Sequence, residues 1–387
     1  MMENKEWKES KIKEIAEVIG GGTPRTDNSD FWNGDIPWIT PRDLTGYSKM
    51  YISKGERMIT NEGLKGSSTR LLPKGTVLLT SRAPIGYVAI AENEICTNQG
   101  FKSLVLNEEL TYNKFIYYWI KNNVEYLQSI GTGTTFAEIS GNVVKEIDIK
   151  LPPLPEQKAI ASVLSSLDDK IDLLQQQNQT LEALAETLFR QWFIEEAKED
   201  WEEGKLGDEF DFTMGQSPPG DTFNEEKIGI PMYQGNADFG FRFPNNRIFT
   251  TDPKRFAQKY DTLISVRAPV GAQNMANEKC CIGRGVASFR YRINNTFYSY
   301  TFYKLGSLMN EIKQFNEAGT VFGSISKSDF ENIDIKIPDY NTIEKFQKIV
   351  KPIDDKIFDN QQQIRTLTQL RDTLLPKLMS GEVRVKV

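Results

Sequence analysis

Two arginines stand in turns of nearly the same wording, 185 positions apart: Arg82 in Ser81-Arg82-Ala83-Pro84-Ile85-Gly86 and Arg267 in Val266-Arg267-Ala268-Pro269-Val270-Gly271. Arginine is the commonest specific reader of guanine edges and a bidentate ligand for phosphate. It also serves as the partner of a nearby carboxylate, and the wording leaves both roles open. A second matched pair of loops supplies hydroxyls: Thr132, Thr134 and Thr135 before Phe136, and Thr320 before Phe322 with Ser324 just beyond. Short hydroxyl donors suit phosphate oxygens; the two phenylalanines either plug a core or wedge against bases. A third pair consists of Gly20-Gly21-Gly22-Thr23-Pro24-Arg25 and Met214-Gly215-Gln216-Ser217-Pro218. These loops offer Thr23, Arg25 and Gln216 as donors. Neither has the Gly-Lys-Ser/Thr ending of a nucleotide-binding P-loop.

Catalytic chemistry is harder to place. The chain has no histidine, which removes imidazole acid–base work and Ser-His or Cys-His nucleophile pairs. Three cysteines, Cys96, Cys280 and Cys281, match neither a zinc motif nor a disulfide framework. There is no Asn-Pro-Pro-aromatic motif for amino-methyl transfer, no methyl-donor loop and no nuclease cluster. Asp339, Glu344 and Lys345 have the wrong spacing for one and sit at a helix start. The paired carboxylates Asp168-Asp169 and Asp354-Asp355 fall in heptad helices at mostly exposed positions, and read as solvated faces or partner contacts.

Net charge is −6 over 387 residues, yet basic strips interrupt it. Residues 42–82 carry eight Lys/Arg against three Asp/Glu, with Arg42 and Arg82 among them, and 240–292 carry ten against three, including Arg242, Arg267 and Arg284. Such strips suit a face that meets phosphate. No apolar run approaches membrane-spanning length and no secretory leader opens the chain, so a soluble, cytoplasmic protein that does not enter membranes is expected.

These loops need a scaffold, and the scaffold is periodic. From Ile160 the apolar positions run Ile160, Leu164, Leu167, Ile171, Leu174, Asn178, Leu181, Ala185, Leu188, Trp192, the alternating steps of four and three that make a coiled-coil seam. Shifting by 186 gives Phe346, Val350, Ile353, Ile357, Asn360, Ile364, Leu367, Arg371, Leu374, Leu378. If the two helices run antiparallel, Ile160 faces Leu378, Trp192 faces Phe346, and Asn178 faces Asn360. A buried Asn pair is one way to set register; each Asn is alternatively just tolerated in a long helix. At ~1.5 Å per residue the seam spans roughly 48 Å.

The rest of the chain repeats with it. Strands are expected at 36–40, 76–80, 87–91, 102–106 and 147–151, with one helix over 111–128. After Trp192 the text restarts: Trp201–Leu206 resembles the opening at Trp7, and Ile333–Pro338 restates 147–152. The anchors recur, whereas 25–75 and 216–260 share little beyond composition. The fold class is therefore α+β: two mixed α/β globules (1–152 and 199–338) alternating with two long helices (153–198 and 339–387), an internal pseudo-twofold repeat. Two copies that keep a scaffold and differ in their loops suggest one task performed on two targets.

At this level the whole chain resembles the specificity subunit of type I restriction–modification systems. The residues that carry the resemblance are Leu151-Pro152-Pro153-Leu154-Pro155-Glu156-Gln157, the Arg82 turn, Leu188-Phe189-Arg190-Gln191-Trp192-Phe193, and the ending Leu375-Pro376-Lys377-Leu378-Met379-Ser380-Gly381. The second copy departs from this wording at Pro338-Asp339-Tyr340-Asn341. The resemblance implies a non-catalytic reader of double-stranded DNA, with one target recognition domain per half of a split site and the helix pair as ruler. It also implies docking of two methyltransferase subunits and of endonuclease/translocase subunits. No cofactor is then expected on this chain; S-adenosylmethionine, magnesium and ATP would sit on the partners. The competing reading is a coiled-coil adaptor whose globules bind protein.

Overall fold

Both halves of the chain open with a short strand that pairs with a strand more than a hundred residues later. Lys8–Lys11 runs antiparallel to Asp148–Leu151, and Glu202–Lys205 to Asp334–Ile337, in matching register. One turn of helix follows each (Ile12–Ile15 and Leu206–Glu209), tied by the Ile12 amide to the Ile147 carbonyl and by the Leu206 amide to the Ile333 carbonyl. The computed structural model describes residues 7–133, 137–314 and 324–386. It divides into two compact units, Met1–Gln175 with Gln362–Val387, and Gln176–Gln361.

In the first unit a five-stranded sheet has the order Ala16–Gly20, Lys102–Leu106, Val77–Ser81, Ile85–Ala91, Tyr51–Ile52. A three-stranded sheet places Trp32–Ile39 between Arg57–Ile59 and Cys96–Thr97. The second unit has a four-stranded sheet in the order Phe210–Met214, Val286–Tyr291, Thr262–Ser265, Gln273–Met275. It also has a five-stranded one, in which Ile230–Tyr233 lies parallel to Cys280–Ile282. The same parallel pairing joins Trp38 to Cys96 in the first unit and Met232 to Cys281 in the second. Anchor strands therefore repeat, while the strands between them differ in number and length.

The expected helix over 111–128 is two helices, Asn113–Asn122 and Val124–Ser129. Asn123 separates them because its side-chain amide donates to the Trp119 carbonyl (2.7 Å), competing with the backbone ladder.

Two long helices complete the units, Leu154–Arg190 and Tyr340–Ser380, the first prolonged by a wide turn over Gln191–Glu195. The first begins behind Pro152-Pro153, where the Pro153 carbonyl accepts the Glu156 and Gln157 amides. The second is capped by Asp339, whose carboxylate accepts the Thr342 amide (2.9 Å) and hydroxyl (2.8 Å). Lys198 donates to the same carboxylate at 2.9 Å and holds it well below the usual carboxylate range. Among the described residues, no helix is long and apolar enough to cross a membrane.

Inside the first unit, partners on the second long helix fall in number as the first helix advances. Ile160 and Leu164 share a core with Leu374 and Leu378, and Ile171 and Leu174 share one with Ile364 and Leu367. Descending partners mean antiparallel packing. In the second unit Trp192 meets Phe346 with ring centroids 6.2 Å apart. Asn360, fully buried, donates through Nδ2 to Asn178 Oδ1 at 2.8 Å and to Gln177 Oε1 at 2.9 Å.

The first carboxylate of each Asp pair corrects the surface reading. Asp168 accepts the Tyr118 hydroxyl (2.7 Å) and Arg371 Nη1 (2.7 Å), and its side chain is only 19% exposed. Asp354 accepts the Tyr303 hydroxyl (3.0 Å) and is 5% exposed. A carboxylate beside the seam that looks solvated in the sequence is thus a partnered charge, half-buried at Asp168 and buried at Asp354. Asp169 remains exposed.

Candidate nucleic-acid interface

The arginine turns rest on one hydroxyl each. Thr80 Oγ1 donates to the Pro84 carbonyl (2.7 Å) and accepts the Tyr87 amide (2.9 Å); Ser265 Oγ does the same with Pro269 (2.8 Å) and Ala272 (2.8 Å). Each turn closes on a glycine with positive φ, Gly86 at +98° and Gly271 at +85°, where a side chain would be strained. Each turn is thus braced by its own hydroxyl and its own glycine.

Around each turn three loops are stitched by equivalent backbone bonds. In the first unit the Ser81 amide donates to the Gly100 carbonyl (2.7 Å), the Ile139 amide to Ser81 (2.9 Å) and the Gly22 amide to Thr97 (2.9 Å). In the second the Val266 amide donates to Gly285 (2.9 Å), the Ile325 amide to Val266 (3.2 Å) and the Gln216 amide to Ile282 (3.0 Å). The glycine loop must approach closely: a Cβ on Gly21 would stand 2.0 Å from the Asn98 carbonyl oxygen, and one on Gly215 would stand 2.1 Å from that of Gly283.

This junction gathers most of the described candidates of each unit. In the first, Thr23 donates its hydroxyl to Gln99, one residue before Gly100. Arg82 lies 3.8 Å from Glu138, which Lys102 also reaches at 3.2 Å. Thr132 bridges Glu138 through the backbone. Arg42 is exposed on the turn Pro41–Leu44, and Pro41 packs where a Cβ of Gly100 would lie. Arg25 is exposed beside Asp27 (3.0 Å), and its carbonyl accepts the Trp32 indole N–H. In the second unit Gln216, Arg267, Arg284 and Ser324 are all exposed. Arg267 bridges Ser324, and the Arg284 amide donates to the Ser217 hydroxyl (3.2 Å). Thr134, Thr135 and Thr320, with Phe136 and Phe322, lie outside the described residues.

Arg242 is a correction. Its side chain is 1% exposed and ion-paired with Glu182 (3.1 Å) and Asp354 (3.4 Å), so it does not face DNA from the surface. The local excess of basic residues counted it with its exposed neighbours, and composition does not distinguish a solvated arginine from a paired one.

Gln99, Lys102 and Glu138 are members of the junction that sequence reasoning did not single out. A signal existed for the first: at the offset of 185, Gln99 falls on Arg284. Lys102 and Glu138 reach the turn from a strand and a distant loop, a meeting no spacing records.

Chemically the surface offers guanidinium, ammonium, amide and hydroxyl donors to an anionic or base-edge ligand. Among the described residues no three His, Cys, Asp or Glu side chains gather as a metal cage. The cysteines are buried, and burial pushes the Cys96 thiol up to about 11, away from a reactive thiolate.

A family model for the type I restriction modification DNA specificity domain matches residues 4–183 and 198–369. The type I restriction enzyme MjaIX specificity subunit of Methanocaldococcus jannaschii is 36% identical, over 99% of this chain and 94% of that protein. The putative type I restriction enzyme MjaX specificity subunit of the same organism is 31% identical, over 98% of this chain and 94% of that protein. Among solved structures, the type I restriction–modification S subunit of M. genitalium has a TM-score of 0.67 at 21% identity, covering 98% of this chain and 97% of that one, a likeness of fold.

Proposed function

The chain belongs to the type I restriction–modification DNA specificity family, and we propose that within it the protein is the non-catalytic reader of a bipartite DNA site. Each unit presents one junction to one half-site. The helix pair sets the unread gap between the halves, with the Asn178–Asn360 contact fixing its register. Methyltransferase subunits dock on the helices and carry S-adenosylmethionine; endonuclease/translocase subunits join them and use magnesium and ATP.

The observation that carries this reading is the duplication of the junction. The same backbone bonds hold the same turn, with an arginine at the same place, while the surrounding segments 25–75 and 216–260 differ. A shared scaffold with divergent surroundings suits two half-sites of different sequence. The relatives lend no support to the adaptor reading.

The test is co-expression with a cognate methyltransferase subunit, followed by sequencing of methylated bases in the host DNA. A split motif with a fixed gap, bearing N6-methyladenine, is the expected result. A continuous motif would refute the two-half reading, and absent methylation the reader role itself.

Single-residue expectations follow from the turns. Arg82→Ala and Arg267→Ala should each weaken binding by ~1–3 kcal/mol, roughly 5- to 150-fold, and the two losses should add. The Arg82–Glu138 pair is long, at 3.8 Å, and half-exposed on both sides, and is worth at most ~1 kcal/mol, so it does not hold Arg82 back from DNA. Fluorescence anisotropy on a duplex bearing both half-sites, at one stated salt concentration, measures this. Wild-type affinity in both variants would exclude the turns from the interface.

A further inference from the structure

The largest fully buried side chain of the second unit carries a charge. Arg242 Nη2 donates to the Tyr303 hydroxyl at 2.7 Å and lies 3.1 Å from Glu182 and 3.4 Å from Asp354, while Cζ stands 3.8 Å from the Phe302 ring centroid. One nitrogen thus contacts both long helices, through Glu182 and Asp354, and the helix Tyr298–Ser307, through Tyr303. Arg242 itself comes from the loop between the turn Asn236–Asp238 and the strand Ile248–Thr250. That loop belongs to 216–260, where the two copies diverge.

Its neighbours tie the same loop down. The Arg242 carbonyl accepts the Met275 amide (2.9 Å), and Phe243 meets Phe358 of the second long helix edge-on at 5.3 Å. At the head of the loop, Asp238 accepts the Gln234 amide (2.7 Å) and Arg247 (2.7 Å).

The first unit answers the same problem without its loop. Tyr118 and Asp168 correspond to Tyr303 and Asp354, but the arginine there is Arg371, supplied by the second long helix. Its counterpart by the 186-residue shift is Ala185, fully buried, and Arg242 enters from outside the helix pair instead. A charge contact internal to the helices in one unit is made by a loop of the divergent segment in the other.

Stability alone does not explain the arrangement. Arg242 Nε and Nη1 are buried without hydrogen-bond partners, and a buried donor left unmade costs stability rather than adding it. Burial pushes the Glu182 and Asp354 carboxyls up, against the pull of Arg242. Apolar side chains of similar volume often do as well or better in such places. What a forked, partnered arginine adds is direction.

We propose that Arg242 is a positioning residue that sets the angle of the second unit's reading loops on the helix pair, and thereby the spacer length the protein accepts. This rests on the bipartite reading above.

The experiment uses the full chain with its methyltransferase subunits. It is titrated onto duplexes with the two half-sites at the natural spacer, one base pair shorter and one longer, and onto the second half-site alone. Two variants are compared with wild type after a thermal melt: Arg242→Lys, and the charge-free Arg242→Met/Glu182→Gln/Asp354→Asn. Both should bind the lone half-site as wild type does but discriminate between spacers at least tenfold less. If the triple variant does not fold, Arg242→Lys decides by the same criteria. A folded variant that keeps wild-type discrimination would overturn the proposal, as would equal loss on the lone half-site and on all spacers. Wild type that shows no spacer preference would instead refute the bipartite reading.

Discussion

Phe346→Ala should cost about 3–5 kcal/mol of stability, because it empties the centre of an aromatic core. Phe346 is 1% exposed and meets Phe193 at 5.1 Å, Phe189 at 5.7 Å, Trp192 at 6.2 Å and Tyr303 at 6.3 Å between ring centroids. Three of those rings come from the other long helix and its terminal turn, so the substitution leaves a cavity whose walls are themselves rigid rings. Such walls relax little, which places the cost toward the upper end. Urea denaturation followed by near-UV circular dichroism measures it, with a fall in midpoint at unchanged slope as the signature. In a heat scan the loss corresponds to a drop of roughly 6–20 °C for a unit of this size. Leu370→Ala, at a side chain 45% exposed, is the control and should stay within about 0.5 kcal/mol. A loss below ~1 kcal/mol for Phe346→Ala would mean that the core is held elsewhere.

The second large effect concerns the spacer. Seven residues inserted between Gln175 and Gln176, with seven between Gln361 and Gln362, keep the apolar seam in phase on both helices. They leave Asn178 opposite Asn360. The insertion adds ~10.5 Å along the helix axis at ~1.5 Å per residue, which matches about three base pairs of duplex at ~3.4 Å each. The methylated motif should therefore keep both half-sites and gain about three base pairs between them. An unchanged gap, or altered half-sites, would show that the helices do not measure the DNA. A single insertion in one helix is the informative contrast. It puts one seam out of register and should abolish methylation rather than shift the gap.

Much of the scaffold could be read from the order of residues, because periodicity and repetition are linear properties. The steps of four and three marked the faces that become Ile160, Leu164, Ile171 and Leu174 against Leu378, Leu374, Leu367 and Ile364. The restated wording brought Arg82 and Arg267 together as one turn, and each turn is built on an equivalent hydroxyl, Thr80 and Ser265. Short-range competition was harder to see. Asn123 breaks a helix that its neighbours favour, through one side-chain bond back to Trp119. Apolar periodicity carries no trace of such a bond.

Burial of charge was not legible at all. Asp168, Asp354 and Arg242 have the composition of surface residues, and their partners hold the first half-buried and the other two inside: Tyr118 and Arg371 for Asp168, Tyr303 and Arg242 for Asp354, and Glu182, Asp354 and Tyr303 for Arg242. Glu138 likewise meets Arg82 and Lys102 through folding of distant segments. Repeats, heptads and turn chemistry are stored in local order, so the chain alone specified its repeated strands, its helical faces and its two arginine turns. Whether a polar side chain faces water or a partner is an energy balance between desolvation and pairing, and that balance has no value until residues remote in the chain have been brought within a few ångströms.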